Sequence, residues 1–493
     1  MRFYSSYSST VLIAAAALAL AACTVGPDYL RPPAPVPAAY KEGAGWKIAQ
    51  PSDSRIGEGW WKLFNDPVLS ALEAQVVISN QNVLAAEARF RQARALVQQA
   101  RAGYYPQATA GASVTRSRRS GSLSTGNNSD TGSPGGTGGA ESVTTFSLPF
   151  DLSWEADVWG RIRRSVEASR GSLQASEADL AAAQLSAQAE LARNYFQLRS
   201  QDAQRQLLDQ TVASYQKTLE LTENRYAGGI AARADLLQAQ TQLRTTQAQA
   251  IDLGVQRAQL EHAIALLIGK PASSFSIAVA PMLHRFPEIP AGLPSQLLER
   301  RPDIASAERR MAAANAEIGI AQSAYFPRMQ LSASAGFDAL RFAEWISWPS
   351  RFWALGPAVS QTLFDGGLRR AQTEEARAAY DATVAAYRQT VLTGFQEVED
   401  NLATLRILEA EAQALEQAVI SSRESLAVTM NQYRAGIVSY LNVIVSQNSA
   451  LANERSAADL LGRRLVASVL LIEALGGGWD TSALEDGMTT VDR

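Results

Sequence analysis

Tyr226-Ala227-Gly228-Gly229-Ile230 is repeated 207 residues later as Tyr433-Arg434-Ala435-Gly436-Ile437. Each segment has a glycine where the end of a helix needs a left-handed residue, so each predicts a tight turn from one helix into the next. Upstream, residues 86–106 resemble residues 307–327 with an offset of 221, from Ala-Glu-x-Arg to an aromatic-aromatic-Pro ending. Two equivalent halves of about 200 residues indicate one supersecondary unit placed beside its copy.

Long helices are predicted on the N-terminal side of both turns. Residues 150–270 and 358–493 contain no proline, and proline is the residue that most strongly disrupts a helix interior. Residues 160–226 and 367–433 each span about 67 residues, or ~100 Å as one continuous helix. Apolar residues recur at intervals of three and four amid alanine and glutamine, which favours close helix–helix packing. Returning helices follow, and Ser439 is expected to cap the second.

Short strands are predicted between the helices. Thr145–Glu155 alternates apolar and polar residues, which is typical of a strand with one apolar face. Its partner is expected at 109–115, across a Gly/Ser/Thr/Asn-rich loop at 120–140. Leu331–Phe337 and Trp353–Leu363 predict a second hairpin. We therefore expect hairpins at about residues 108–155 and 329–364.

These hairpins predict an assembly of several copies. Two isolated hairpins are not stable in water, and no other segment of the chain predicts a strand that could complete a sandwich. Several copies that close one barrel would remove all edges and let the apolar faces meet lipid. Three copies would supply twelve strands. Asp151 and Glu155, on the polar face, would then point into the lumen.

The N-terminus contains the only cysteine of the chain. Residues 11–22 are an apolar run too short to span a bilayer as a mature helix, so 1–22 is interpreted as a signal peptide. Leu20-Ala21-Ala22-Cys23 resembles the bacterial lipobox, which implies cleavage before Cys23, S-diacylglycerol on its thiol and an N-acyl group on its amine. Thr24 in place of aspartate favours the outer membrane. The alternative is an ordinary cleaved signal peptide with a chance cysteine.

Composition argues against several functions. A net charge of −3 without a basic face gives no reason to expect nucleic acid. Two histidines, His262 and His284, and one cysteine leave little material for a metal site, and both histidines are interpreted as structural. No nucleophile–base pair, metal spacing or phosphate-binding loop is evident, so we predict no catalytic or metal residues and no enzyme activity.

Several motifs occur in a fixed order along the chain. They are Cys23–Tyr29, Trp60-Trp61-x-x-Phe64-x-Asp66-Pro67, Leu298–Glu308, Ala324–Pro327, Leu363–Gly367 and the two Tyr-x-x-Gly turns. Together they resemble the outer-membrane factors of tripartite efflux systems, the TolC superfamily, in its lipoprotein branch that includes OprM and the NodT-like proteins. The resemblance covers essentially the whole mature chain.

The resemblance implies a mainly α fold with a small β part. Three chains would form a twelve-stranded barrel in the outer membrane, with four strands per chain, continued by a twelve-helix α-barrel across the periplasm. Each chain would hold two repeats, with an equatorial belt around the tunnel. The implied segments are an extended N-terminal part at 23–64, repeat 1 at 65–270, a Pro-rich linker at 271–300, repeat 2 at 301–476 and a tail at 477–493.

The function implied is passive conduction. Small molecules would arrive from an inner-membrane pump of the RND type through a periplasmic adaptor and leave across the outer membrane of a Gram-negative bacterium. No cofactor is implied beyond the lipid on Cys23. A protein-secretion conduit of the same fold is the first alternative, and a periplasmic scaffold lipoprotein that does not conduct is an alternative of another class.

The resemblance also assigns residues to the periplasmic tip, at 226–232 and 433–439. Tyr226, Gly229, Tyr433 and Gly436 would form the tips that dock the adaptor, although an aromatic residue near a helix end more often serves in packing. Asp235, Leu441 and Val445 would line the gate. Val445 stands where the family often has an aspartate, so we expect an apolar closure centred on Leu441. Asp235 is either a pore acid or a first-turn carboxylate stabilised by the helix dipole.

Five arginines follow the predicted strands where the membrane should end. They would either meet the phosphates of the inner leaflet or form ion pairs in solvent. They are Arg161, Arg163, Arg164, Arg369 and Arg370.

Overall fold

The computed structural model describes residues 24–43, 59–118, 142–282, 287, 289 and 299–481. The predicted signal peptide, Cys23, His284 and the loop at 120–140 lie outside the described residues. The described chain forms two compact units, each of which takes segments from both halves of the sequence. The first unit holds residues 24–31, 93–118, 142–172 and 311–383. The second holds residues 32–43, 59–92, 173–282, 287, 289, 299–310 and 384–481.

The α-helices repeat with the two offsets seen in the sequence. They are α1 (Pro67–Ser79), α2 (Gln81–Ala102), α3 (Arg161–Ala227), α4 (Arg233–Leu267), α5 (Pro302–Ser323), α6 (Leu368–Arg434) and α7 (Tyr440–Ala474). α2 and α5 each have 22 residues, α3 and α6 have 67, and α4 and α7 have 35. Over the described ranges, none of these helices is both long and apolar enough to cross a bilayer.

In the sequence, Asp66 as N-cap and Pro67 at the first helical position predict one continuous helix to about Tyr104, where Pro106 would stop it. The segment is instead divided at Asn80 into α1 and α2. Asn80 has an extended backbone, with φ −66° and ψ 122°. Its side-chain oxygen accepts hydrogen bonds from the backbone N–H groups of Asn82 and Val83, at 2.9 and 3.2 Å, as an N-cap does. Its amide donates to the carbonyl of Leu267 at 2.8 Å. The break is thus stabilised by a capping residue that also joins α2 to the end of α4.

Asp66 caps α1, as the sequence predicted, and the same carboxylate reaches the long helix α3. Its Oδ1 accepts the backbone N–H groups of Val68 and Leu69 at 2.8 and 3.1 Å. Its Oδ2 accepts the hydroxyl of Tyr195 at 2.6 Å. Burial and this hydrogen bond raise the pKa of Tyr195. One buried carboxylate therefore fixes both the start of α1 and its position on α3.

Five strands among the described residues form one antiparallel sheet. They are β1 (Gln107–Ala110), β2 (Ser113–Arg118), β3 (Ser142–Ala156), β4 (Arg328–Ala339) and β5 (Arg351–Ser360). β3 pairs with both β1 and β2 on one side, and β4 pairs with β5. The two hairpins are not separate, because β3 and β4 pair from Phe146↔Ala339 to Ala156↔Met329. Leu363, expected within the last strand, lies beyond its end.

A buried acid lies on α1. The side chain of Glu73 is fully buried, and neither carboxylate oxygen has a hydrogen-bond partner among the described residues. Burial raises the pKa of Glu73 to about 9, because removal from water disfavours the charged form. The carboxyl group is therefore protonated at neutral pH.

We expect Asp66→Ala to lower the free energy of unfolding by about 2–4 kcal/mol, since it removes an N-cap and a hydrogen bond to a charged group. Tyr195→Phe removes only the second interaction and should cost about 1–2 kcal/mol, and Asp66→Asn should keep the cap. Chemical denaturation of the purified protein in detergent measures all three. Equal losses for Asp66→Ala and Tyr195→Phe would show that the cap contributes nothing.

Candidate functional site

The two helix tips are closed by the same backbone motif. At the end of α3, the N–H of Gly229 donates to the carbonyl of Tyr226 at 2.9 Å and that of Ile230 donates to Arg225 at 2.8 Å. At the end of α6, Gly436 and Ile437 repeat both bonds at 3.0 and 2.9 Å. This is the Schellman pattern, with Gly229 at φ 70° and Gly436 at φ 79°. Only glycine adopts this backbone without strain, so the prediction for both turns is confirmed.

Behind the turns, the four long helices share one core. Its buried residues come from α3 (Tyr215, Leu219), α4 (Ala239, Leu243), α6 (Tyr433) and α7 (Tyr440, Val443). The rings of Tyr433 and Tyr440 lie 5.5 Å apart between centroids. Burial, with the neighbouring groups of Tyr215, Tyr433 and Asp235, raises the pKa of Tyr440. The tip is therefore a packed four-helix element, in which the two helix pairs contact each other through aromatic side chains.

Arg225 bonds the tip of the first half to the tip of the second. Its Nη1 donates to the carbonyl of Tyr433 at 3.0 Å and to that of Arg434 at 3.3 Å. Its guanidinium also lies over the Tyr433 ring, 4.8 Å from the centroid. Carbonyls at a helix C-terminus carry partial negative charge and have no partner within the helix. Arg225 on α3 thus caps the C-terminus of α6.

The repeat symmetry fails at these positions. Tyr226 is 42% exposed, whereas its equivalent Tyr433 is 3% exposed. The hydroxyl of Tyr433 lies 3.2 Å from Thr222 Oγ1. Because the Thr222 hydroxyl already donates to the Thr218 carbonyl at 2.9 Å, Tyr433 is the donor in this pair. Tyr433 therefore serves in packing within the chain, and Tyr226 is the tyrosine that remains available at the surface.

The residues predicted to form the gate lie in the first turn of α4 and the first two turns of α7. Leu441 is 55% exposed and Val445 is 62% exposed, and their spacing of four puts both on one face of α7. Asp235 is partly buried in the first turn of α4. Ser439 lies at the N-cap position of α7, but its side chain accepts no helix N–H and instead accepts the Asn442 amide at 3.3 Å. The predicted capping by the Ser439 side chain is therefore wrong.

A groove between α3 and the α6–α7 pair was not apparent from the sequence. Two adjoining cavities of about 690 and 570 Å³ share Leu207, Gln210 and Arg423 in their walls. Arg423 forms an ion pair with Glu454 of α7. The groove is thus lined by both apolar and charged side chains and extends toward the tip.

In the first unit, the sheet has one apolar and one polar face. Cross-strand pairs place Phe150, Ala335 and Trp353 on one face and Asp151 and Ser334 on the other. The apolar face is open, with Trp353 80% exposed. Asp151, Glu155, Arg328 and Asp338 lie on the polar face. On the apolar face, the charged residues of the described strands are Arg116, Arg118 and Arg351, all at the strand ends that lead into loops.

At the other end of the sheet, strands lead into helices. Four of the five arginines that the sequence places there form ion pairs. Arg161 pairs with Glu155 at 2.8 Å, Arg163 with Asp157 at 3.5 Å, Arg164 with Asp28 at 3.0 Å and Arg369 with Asp365 at 2.6 Å. For these four, the ion-pair alternative is the one that the structure shows. Arg370 is exposed.

The N-terminal segment is anchored at this same end of the sheet. The N–H of Val25 donates to the carbonyl of Trp159 at 3.2 Å, and Arg164 donates to the carbonyls of Val25 and Gly26, both at 3.3 Å. Thr24 lies directly against Gly160. The residue that follows Cys23 in the sequence is therefore held four residues beyond the end of β3.

Comparison with known proteins gives concordant results. The family model described as outer membrane efflux protein matches residues 73–270 and 293–477. The chain is 32% identical to the pyoverdine export outer membrane protein OpmQ of Pseudomonas aeruginosa over 91% of this chain and 94% of that protein. It is 33% identical to outer membrane protein OprJ of the same organism, over 94% of this chain and 95% of that protein. The solved structure of the outer-membrane channel OprN superposes with a TM-score of 0.84 and 32% sequence identity. The match covers 93% of this chain and 100% of that chain.

We expect Arg225→Met to loosen the second tip, because it removes the cation but keeps an apolar side chain. Loss of hydrogen bonds to a charged donor, worth about 1.5 kcal/mol or more, should speed amide exchange in residues 430–440 by roughly tenfold. Hydrogen–deuterium exchange with mass spectrometry measures this effect. Arg434→Met, at the exposed end of α6, is the matched control and should leave exchange unchanged. Identical protection in wild type and Arg225→Met would contradict the capping role.

Proposed function

The chain belongs to the outer membrane efflux protein family, and we propose that three copies form the outer-membrane channel of a tripartite pump that exports small molecules. The fold is TolC-like, and the protein is an efflux component of the Gram-negative outer membrane. OpmQ is named for pyoverdine export. Proteins with this function conduct rather than catalyse, so energy for export would enter at the inner-membrane pump.

The observation that carries the proposal is the open sheet. Its outer strands, β1–β2 on one side and β5 on the other, have no partner on their outer side among the described residues. Its apolar face is exposed. In a bilayer, unpaired backbone groups cost several kcal/mol each, so a spanning sheet must close. All strand pairs in this sheet are antiparallel, and β5 of one copy can pair with β1–β2 of the next in the same manner.

Three copies would give the barrel an apolar outside and a polar inside. The polar face, with Asp151, Glu155 and Asp338, would line the lumen, as in water-filled outer-membrane barrels. The apolar face would contact lipid. A scaffold lipoprotein that does not conduct would have no use for this segregation, and a conduit for unfolded protein would need a matching secretion pump.

The helix tips would contact the adaptor and close the channel at rest. Gly229 and Gly436 shape the turns. Tyr226 is exposed, and the groove reaches Leu221 and Arg434 near the tip, so both offer surface for docking. Leu441 and Val445 form an exposed apolar stripe on α7 that would meet its copies around the threefold axis. Arg225 would hold the α6–α7 pair against α3 in this closed arrangement.

Cys23 is proposed to carry the lipid. Supporting contacts hold Thr24 beside Gly160, next to the paired arginines that follow the strands. A lipid on the preceding residue would enter the leaflet at the periplasmic edge of the barrel. Several acyl chains anchor stably, since each buried methylene contributes about 0.8 kcal/mol.

We expect Leu441→Ala to raise the single-channel conductance of the purified protein in planar bilayers, because it widens an apolar constriction. Wild type should give small, flickering currents, and the variant larger and longer openings.

Leu237→Ala, which truncates an exposed leucine on α4, is the control and should behave as wild type. If wild type conducts and Leu441→Ala has the same conductance, Leu441 does not form the gate, but the protein is still a channel. Absence of current in both would contradict the channel itself.

Cys23→Ala should abolish labelling of the protein by radioactive palmitate in growing cells. Intact mass of the wild-type N-terminus should show diacylglycerol and one further acyl chain. A wild-type mass equal to that of the unmodified chain cleaved at another position would show an ordinary signal peptide instead.

A further inference from the structure

Three arginines on the apolar face of the sheet have no role in the proposed conduction. Arg116 and Arg118 are in the last three residues of β2, and Arg351 is the first residue of β5. Pairing of Arg116 with Thr144, and of Arg351 with Phe337, sets all three on the face of Phe146 and Trp353. They would therefore point outward from the barrel, at the end opposite the long helices.

These arginines lack carboxylate partners among the described residues. Arg116 donates to Ser142 Oγ at 3.3 Å. Arg351 donates to the Trp348 carbonyl at 3.1 Å, and its guanidinium lies over the Trp348 ring. The arginines at the helix end of the sheet are, in contrast, mostly ion-paired. A cation on the lipid face of a barrel is tolerated near the interfaces and costly at mid-depth, so these arginines are suited to the interface, where anionic headgroups lie.

Aromatic side chains cluster at the same end of the sheet, as is typical of a membrane interface. Phe342 and Trp345, from the loop between β4 and β5, both lie 5.7 Å from the Phe146 ring between centroids. Ile346 and Trp348 on that loop are strongly exposed. Trp and other aromatic residues are enriched where acyl chains meet headgroups. Arginine beside exposed aromatics at this level is suited to a lipid with a phosphorylated headgroup.

Closure of the barrel brings the arginines together. Within one chain, β2 and β5 lie at opposite sides of the sheet. In the trimer, β5 of one copy would be adjacent to β1–β2 of the next, so Arg351 would join Arg116 and Arg118 of its neighbour. Each interface would then hold three guanidinium groups, whose planar forks suit bidentate contact with phosphate.

We propose that each of these interfaces binds the phosphates of lipid A, the anionic glycolipid of the outer leaflet. The inference rests on the proposed function, because it requires the closed trimer with its helices in the periplasm. Inner-leaflet phospholipids meet the other end of the sheet, where Arg161, Arg163 and Arg369 are already paired. The lipid would bridge two copies and stabilise the trimer.

The test compares wild type with the triple variant Arg116→Gln/Arg118→Gln/Arg351→Gln. Binding of diphosphoryl lipid A to the detergent-solubilised trimer is titrated by native mass spectrometry. Each arginine near an anionic headgroup contributes roughly a fivefold factor, so the triple variant should bind roughly a hundredfold more weakly. Monophosphoryl lipid A should bind wild type more weakly than the diphosphoryl form. Arg328→Gln, on the polar face at the helix end, is the control and should match wild type.

Equal lipid A affinity in wild type and the triple variant would overturn the site, as would equal affinity of wild type for phosphatidylglycerol. If the triple variant does not assemble, Arg351→Gln alone should still weaken binding about fivefold. Mass and conductance of wild type are recorded in parallel. A conducting trimer without arginine-dependent lipid A binding would contradict only this inference, whereas a monomer that carries no current would contradict the channel and the site together.

Discussion

The requirement to pair every backbone group of an apolar sheet governs the rest of this structure. The sheet has the width of four strands, because β1 and β2 share one side of β3. Its apolar face is open and its polar face carries the carboxylates. In lipid, unpaired edges are excluded, and the outer sides of β1–β2 and β5 have no partner among the described residues, so this sheet needs further strands to span a membrane. The proposed closure through further copies would meet this requirement and would at the same time produce a polar lumen.

The long helices follow the same repeat, but the side-chain contacts at their tips do not. α3 and α6 have 67 residues each, and both end in the same glycine turn. The repeat equivalent of Arg225 is Gln432, and that of Leu441 is Ala234. The bond from α3 to the α6 carbonyls therefore has no counterpart in the reverse direction. The asymmetry of the tip therefore lies in its side-chain contacts and not in its backbone turns.

Much of this fold is predictable from the sequence, because helix length, strand alternation and glycine turns are local properties. The 207-residue offset of the long helices and the cap at Asp66 are examples. Contacts between distant segments are not local. The β3–β4 ladder, the burial of Glu73 and the reach of Arg225 to the second tip depend on packing that no short motif records. The one signal of the Arg225 contact in the sequence is that the equivalent position in the second repeat has no arginine. Asn80 shows that a strong capping residue can divide an otherwise helical pattern.

The measurement that tests the central claim most directly is cysteine cross-linking between the open strands. One such pair is Gln107→Cys with Ser360→Cys, at the helix ends of β1 and β5 and on the polar face. Cys23 is the only cysteine of the natural sequence. Oxidation in outer membranes should give covalent dimers and trimers and nothing larger. Pairs in which one partner is shifted by two residues, such as Gln107 with Ala358 or Thr109 with Ser360, belong to other registers, so the pair that cross-links most efficiently identifies the register. Monomers at every pair, or a ladder that continues beyond three, would contradict a closed trimer.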